Sequence, residues 1–144
     1  NYRIKDYVFS WDKVLNFEGE TGPYVQYTHA RACSIFRRAG EETVSAAKEG
    51  FDASCITGES AHHLIKLLYA LPEVIAEAGE KYEPSIVTRH IVDIAQGFNK
   101  FYHDEHILVE DEKEKTAKVA LVLAVQTAIK NGLGLLGMKA PEKM

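Results

Sequence analysis

The chain has 144 residues, 46% of them hydrophobic and 26% charged, and a net charge of −4. That size and apolar content can bury one core with no metal or disulfide to staple it, which predicts a single domain. The mild negative charge excludes a protein that grips nucleic acid by neutralising phosphates over its whole surface, so any such contact must be local. The longest apolar run, Val119 to Val125, is bounded by Lys118 and Gln126 and falls far short of the roughly 18 residues of a membrane span. Cys33 and Cys55 form no CxxC pair, so reduced thiols in a cytoplasmic protein are expected rather than a zinc site or a disulfide framework. With no signal peptide and a start at Asn1 instead of methionine, the chain reads as a fragment of something larger.

Strand-like alternation is nearly absent and apolar residues recur at three- and four-residue steps, which predicts an all-α helical bundle. Ser10 can cap a short helix through Phe17, and Glu18-Gly19-Glu20 then turns the chain. Thr21-Gly22-Pro23 is a start signal for a long helix that Gly40 should stop after Ala39. The stretch from Thr43 to Ile56, with its small residues and Gly50, stays open between helix and loop. A third helix, from about Gly58 to Ala78, places Leu64, Leu67, Leu71, Val74 and Ala78 on one face, and Pro72 should kink or divide it. A fourth begins at Pro84 and sets Val87, Ile91, Ile94, Phe98 and Phe101 on a narrow seam, as a helix packed between neighbours would. The last, from about Asp111 to Asn131, is apolar nearly all round, so it should lie mid-bundle and end at Gly132.

On the helix from Thr21 to Ala39, a 100° step per residue gathers Val25, Ala32, Ile35, Phe36 and Ala39 on a buried arc. Across from them Tyr24, Tyr27, Arg31, Ser34 and Arg38 share about one quarter of the circumference. Rings followed by guanidinium groups suit unpaired RNA, because splayed bases stack on tyrosine and arginine planes while the arginine fork holds phosphates or base edges. The same stripe can also be tyrosines packed on a neighbouring helix beside solvated arginines, or the anchors of a helical protein-interaction module.

A resemblance weights these alternatives. The segment FEGETGPYVQYTHAR, Phe17 to Arg31, resembles the stretch where arginyl-tRNA synthetases pass from the catalytic domain into the anticodon-binding domain. The closing GLGLLGMKAPEKM, Gly132 to Met144, is similar to the way members of that family end. Between them, Leu71-Pro72-Glu73-Val74 and FNKFYHDEHIL, Phe98 to Leu108, look like the same C-terminal domain, and the match is weakest from Gly40 to Ile56. The resemblance implies a DALR-type helical bundle over residues 21–144 that cradles the anticodon loop of an arginine-specific tRNA. Residues 1–20 would then be a remnant of the junction with the catalytic domain of the same polypeptide. By position, Tyr24, Tyr27 and Arg31 match family residues that contact the loop, and Met144 lies close to the same site. Arg38 extends the stripe, whereas Gln26 and His29, which sit off it, are weaker candidates. Where the family often has an arginine-leucine pair near the start of the last helix, this chain has Lys118-Val119, which removes the planar guanidinium.

The class I signatures HIGH and KMSKS do not occur, and Gly132, Gly134 and Gly137 follow a helix instead of joining a strand to a helix start. The resemblance therefore implies that ATP, with magnesium, serves the parent ligase, while this stretch holds no cofactor and is inactive alone. His103-Asp104-Glu105-His106 could in principle bind a metal and support a small metal-dependent enzyme. With no further ligand cluster in view, a solvated loop with His103 at a helix C-terminus is the expected reading.

Overall fold

The structure is a computed structural model that describes Trp11 and residues 21–144. The short helix expected from Ser10 to Phe17 and the turn after it lie outside the described residues, Trp11 excepted. Five α-helices follow: α1 Gly22–Ala39, α2 Glu41–Glu49, α3 Glu59–Glu80, α4 Ser85–Asp104 and α5 Glu112–Leu135. There is no strand among the described residues, so the all-α bundle is as predicted.

α1 begins where its cap chemistry sets it, with the Thr21 hydroxyl accepting from the Tyr24 amide at 3.3 Å and Pro23 in the first turn. It ends at Gly40, whose amide donates back to the Phe36 carbonyl at 3.1 Å. The open stretch after it resolves into α2 and a single 3₁₀ turn, Ala53–Cys55. Glu41 and Glu42 face the positive end of α2 and Lys48 its negative end, and the Asp52 carboxylate caps the 3₁₀ turn through the Ser54 amide at 3.0 Å.

Of the kink or division expected at Pro72, division does not occur: α3 runs unbroken from Glu59 to Glu80. The ring is exposed, while Leu64, Leu71 and Ala78 are buried along an adjoining face, so packing carries the helix across the one hydrogen bond that proline removes. The stop predicted at Gly132 also does not occur. α5 continues to Leu135, and the chain turns at Gly137, whose φ of 72° is the left-handed conformation glycine adopts without strain. The Met138 amide then donates to the Leu133 carbonyl at 2.8 Å, closing a Schellman-type cap.

α5 touches each of the other four helices and lies at the centre of the bundle. Val119, Val122, Val125 and Ile129 have no more than a trace of exposure. The seam of α4 meets it, with Val87, Ile91, Ile94, Phe98 and Phe101 all buried. Gly132 is what lets α4 and α5 approach, since a Cβ there would stand 2.3 Å from Cγ2 of Ile91. No helix is long and apolar enough to cross a membrane, among the described residues.

Gly132 therefore supports a prediction with an internal control. Ile91 is β-branched and 2% exposed, so it cannot swing aside, and Gly132→Ala should destabilise the chain by about 1–3 kcal/mol through overpacking. Gly134→Ala, two residues on with nothing within 4 Å of the added carbon, should stabilise it by about 0.5–1 kcal/mol. Urea unfolding of the two variants beside the parent reads both signs.

Candidate nucleic-acid interface

Three segments build the candidate site: the outward side of α1, the last turn of α4, and the tail that leaves α5 at Gly137. Asn99 of α4 joins the first two. Its Nδ2 donates to the Tyr24 hydroxyl at 2.8 Å and to the Thr28 hydroxyl at 3.2 Å, while its Oδ1 accepts from Nη1 of Arg31 at 2.5 Å. The Thr28 hydroxyl in turn donates to the Tyr24 carbonyl at 2.9 Å. One amide thus fixes three side chains of α1, and Arg31 is held in place by a charge-assisted bond rather than waving in solvent. Its guanidinium carbon lies 4.9 Å from the centre of the Tyr27 ring and 5.3 Å from that of Tyr102, both within cation–π range.

The tail is strapped along the other side of α1. Met138 packs where Gly22 has no side chain, with its methyl 2.6 Å from the place of an added Cβ. Beyond it, Gln26 Nε2 donates to the Lys139 carbonyl at 2.8 Å, and Arg37 Nη1 donates to the Glu142 carbonyl at 3.2 Å. Between these, His29 is 1% exposed. Its Nδ1 is 2.9 Å from the Pro141 carbonyl, which can only accept, and its Nε2 is 2.9 Å from Nε2 of Gln126, which can only donate. The two partners together engage both ring nitrogens. Cys33 lies beside this histidine, 3.9 Å from Nδ1. Burial, and then the nearby Glu142 carboxylate, pushes its thiol up and keeps it protonated.

The result is a hollow of about 500 Å³ lined by Tyr27, Ala30, Arg31, Ser34, Arg37, Tyr102, Lys143 and Met144. Three cations line it and no acidic side chain does, although the chain as a whole is negative. Of the residues singled out in the sequence, Tyr27, Arg31 and Met144 come together here, with Tyr27 50% and Met144 67% exposed. Tyr24 is half-buried behind them and supports Asn99. Arg38 is exposed but does not line the hollow, and Arg37 does. The helical wheel ranks angles on one helix, whereas the hollow's position is set by the tail beside it, which orients Arg37. His29 and Gln26 are taken up by holding that tail. For that reason the chain end lies beside the middle of α1, from Tyr27 to Arg37, and not near its start.

Tyr102, Asn99, Arg37 and Lys143 were not legible as site residues. Asn99 and Tyr102 do lie within FNKFYHDEHIL, each directly after one of the buried phenylalanines Phe98 and Phe101, so the polar edge of that seam was the available signal. In the same segment Glu105 turns inward, accepting from the Ser60 hydroxyl at 3.1 Å and pairing with Lys118, while His103 and Asp104 remain exposed. No group of three or more His, Cys, Asp or Glu converges as a metal site among the described residues.

Lys118, standing where a guanidinium is common in the resembling family, points inward. Its ammonium lies 2.8 Å from Glu114, 3.3 Å from Glu105 and 3.0 Å from the His106 carbonyl. Burial pulls its pKa down, but the two carboxylates outweigh burial and hold it above its ordinary value. Lys118→Met should cost about 2 kcal/mol, since it strands Glu105 without its countercharge. A folded pKa above the unfolded one means the contribution is complete below about pH 10.5 and is lost as pH rises through the folded value. The stability gap between parent and variant should therefore be flat from pH 7 to 9 and shrink above 10.5, which denaturant titrations across that range would measure.

The family description "DALR anticodon binding domain" matches residues 25–144. The chain is 54% identical over its whole length to the arginine–tRNA ligases of Halothermothrix orenii and of Alkaliphilus metalliredigens, and it spans about a quarter of the length of each. Among solved structures it is similar to the arginyl-tRNA synthetase of Thermus thermophilus, with a TM-score of 0.80 and 34% identity, covering 94% of this chain and 23% of that one. The arginyl-tRNA synthetase of Plasmodium falciparum gives a TM-score of 0.81 and 26% identity, over 97% of this chain and 24% of that one.

Proposed function

Because the chain belongs to the family of DALR anticodon binding domains, we propose that it holds the anticodon loop of an arginine-specific tRNA as the RNA-binding part of an arginine–tRNA ligase. The observation that carries this reading is the hollow in which Arg31, held by Asn99, lies against Tyr27 and Tyr102 with further cations beside it. An unpaired base has a flat apolar face and a polar edge, and the hollow offers the counterpart of each. The half-exposed Tyr27 ring stacks the base, the Arg31 fork donates to its edge or to a phosphate, and the flexible Met144 side chain fits an irregular base surface. Tyr24 acts behind them by positioning Asn99, and Arg38 adds charge beyond the rim.

In this reading residues 21–144 form the RNA-binding domain and residues 1–20 its junction with a catalytic domain of the same cytoplasmic polypeptide. ATP, with magnesium, supplies there the activation of arginine that precedes its transfer to the tRNA. The glycines of this stretch do not suit the phosphates of that cofactor. Gly132, Gly134 and Gly137 lie at the C-terminal end of α5, where carbonyls and the negative end of the helix dipole disfavour phosphate.

Arg31→Ala and Tyr27→Ala should each weaken binding of an arginine-tRNA anticodon stem-loop by about 1–3 kcal/mol, with little change in melting temperature. If Arg31 meets a phosphate, its loss also flattens the dependence of affinity on salt, whereas loss of Tyr27 leaves that slope alone. Unchanged affinity in both variants, with the helical circular dichroism signal intact, would move the stripe to the protein-interaction reading.

A further inference from the structure

Beyond Met138 the tail is tied to α1 through its backbone carbonyls: Gln26 takes that of Lys139, His29 that of Pro141 and Arg37 that of Glu142. These ties are unequal. The Gln26 and Arg37 bonds are exposed, so water offers either partner nearly as good a bond, and each adds little to the order of the chain. His29 is 1% exposed, and a buried bond has no such substitute, because losing it strands a desolvated polar group. The ring is also fixed at its other nitrogen, where Nε2 stands 2.9 Å from Nε2 of Gln126 on α5, the helix at the centre of the bundle. A line of contacts thus runs from α5 through the imidazole to the Pro141 carbonyl. Pro141 has a restricted φ, and its carbonyl shares a plane with the next peptide nitrogen, so holding that oxygen also sets the direction in which the chain leaves for Lys143 and Met144.

We infer that His29, backed by Gln126, is a positioning residue for RNA binding: it sets where Lys143 and Met144 stand in the hollow while never touching the ligand. His29 is not among the residues that line the hollow and is too buried to meet a nucleotide, so its effect on affinity passes wholly through the tail. A tail freed from the imidazole would still be anchored at Met138, but the residues after it would lose their order, and each encounter with RNA would have to restore it. The role rests on the reading of the hollow as an RNA interface and adds to it a buried residue that governs affinity without contact.

The test uses the full chain and an arginine-tRNA anticodon stem-loop, with two substitutions that separate the contacts of the ring. The amide nitrogen of asparagine lies as many bonds from Cα as Nδ1 does, and that of glutamine as many as Nε2. His29→Asn therefore keeps a donor for the Pro141 carbonyl and gives up Gln126, whereas His29→Gln keeps a partner for Gln126 and gives up the tail. Both should melt about 5 °C below the parent. In the free chain, heteronuclear NOEs at the amides of Lys143 and Met144 should report an ordered tail in the parent and in His29→Asn, and a mobile one in His29→Gln. Affinity should fall roughly tenfold in His29→Gln and less than about threefold in His29→Asn. Lys143→Gln should reduce the salt slope of binding by about 0.7 in the parent and change nothing further in His29→Gln, where that cation is already out of place. Arg31→Ala, whose parent side chain Asn99 holds, should cost the same in both backgrounds. Equal loss of affinity in the two His29 variants, an ordered tail in His29→Gln, or a full Lys143→Gln effect in that background overturns the inference. If neither His29 variant folds, Pro141→Gly decides: freeing the same peptide group should give the pattern expected of His29→Gln, and binding as tight as the parent's overturns the inference. Any of those overturning results with a parent chain that binds the stem-loop leaves the anticodon-loop reading standing, whereas failure of the parent to bind sinks both.

Discussion

The site depends on one amide. Asn99 ties α4 to α1 through both sides of its amide, which donates to Tyr24 and Thr28 and accepts from Arg31. An asparagine suits this position because it offers donors and an acceptor in one plane. Without that oxygen Arg31 would keep its charge but lose its direction, and the two tyrosine rings would no longer share a fixed partner. Its counterpart is His29, which ties α1 to α5 through Gln126 and to the tail through Pro141. One brace aims the stripe and the other brings up the wall beside it.

Local charge explains how a negatively charged chain can face an anion. At physiological salt the Debye length is about 8 Å, so carboxylates elsewhere on the bundle are largely screened from the hollow, while Arg31, Arg37 and Lys143 act at contact distance. Two acidic residues that flank the loop after α4, Glu105 before it and Glu114 in the first turn of α5, are spent internally on Lys118. Electrostatics in this fold therefore splits into a partly buried triad around Lys118 that fastens the loop after α4 and an open patch of cations beside the tail.

Much of the scaffold was legible in the sequence because it rests on local rules. The cap at Thr21, the stop at Gly40 and the seam of α4 follow from residue chemistry and a 3.6-residue period. What was not legible depends on neighbours distant in the chain. Gly132 looked like a stop but is a contact with Ile91, and the glycine that ends α5 is Gly137. Pro72 allowed a kink or a division, yet burial of Leu64, Leu71 and Ala78 carries the helix past it undivided. In the site, Tyr27 and Arg31 were legible because they share a face of one helix. Tyr102, Arg37 and Lys143 were not, since their value comes only from how α4 and the tail are laid beside α1. His29 shows the same limit from the other side: a polar residue that could have met a ligand is buried as a structural tie.

The most direct measurement is a map of where RNA touches the folded chain. In a titration of the isotope-labelled protein with an arginine-tRNA anticodon stem-loop, followed by amide and side-chain NMR shifts, the account predicts saturable changes concentrated at Tyr27, Arg31, Ser34, Tyr102 and Lys143. Changes centred instead on the outer face of α3 around Tyr69, or on the turn at Tyr82, with the hollow silent, would contradict it.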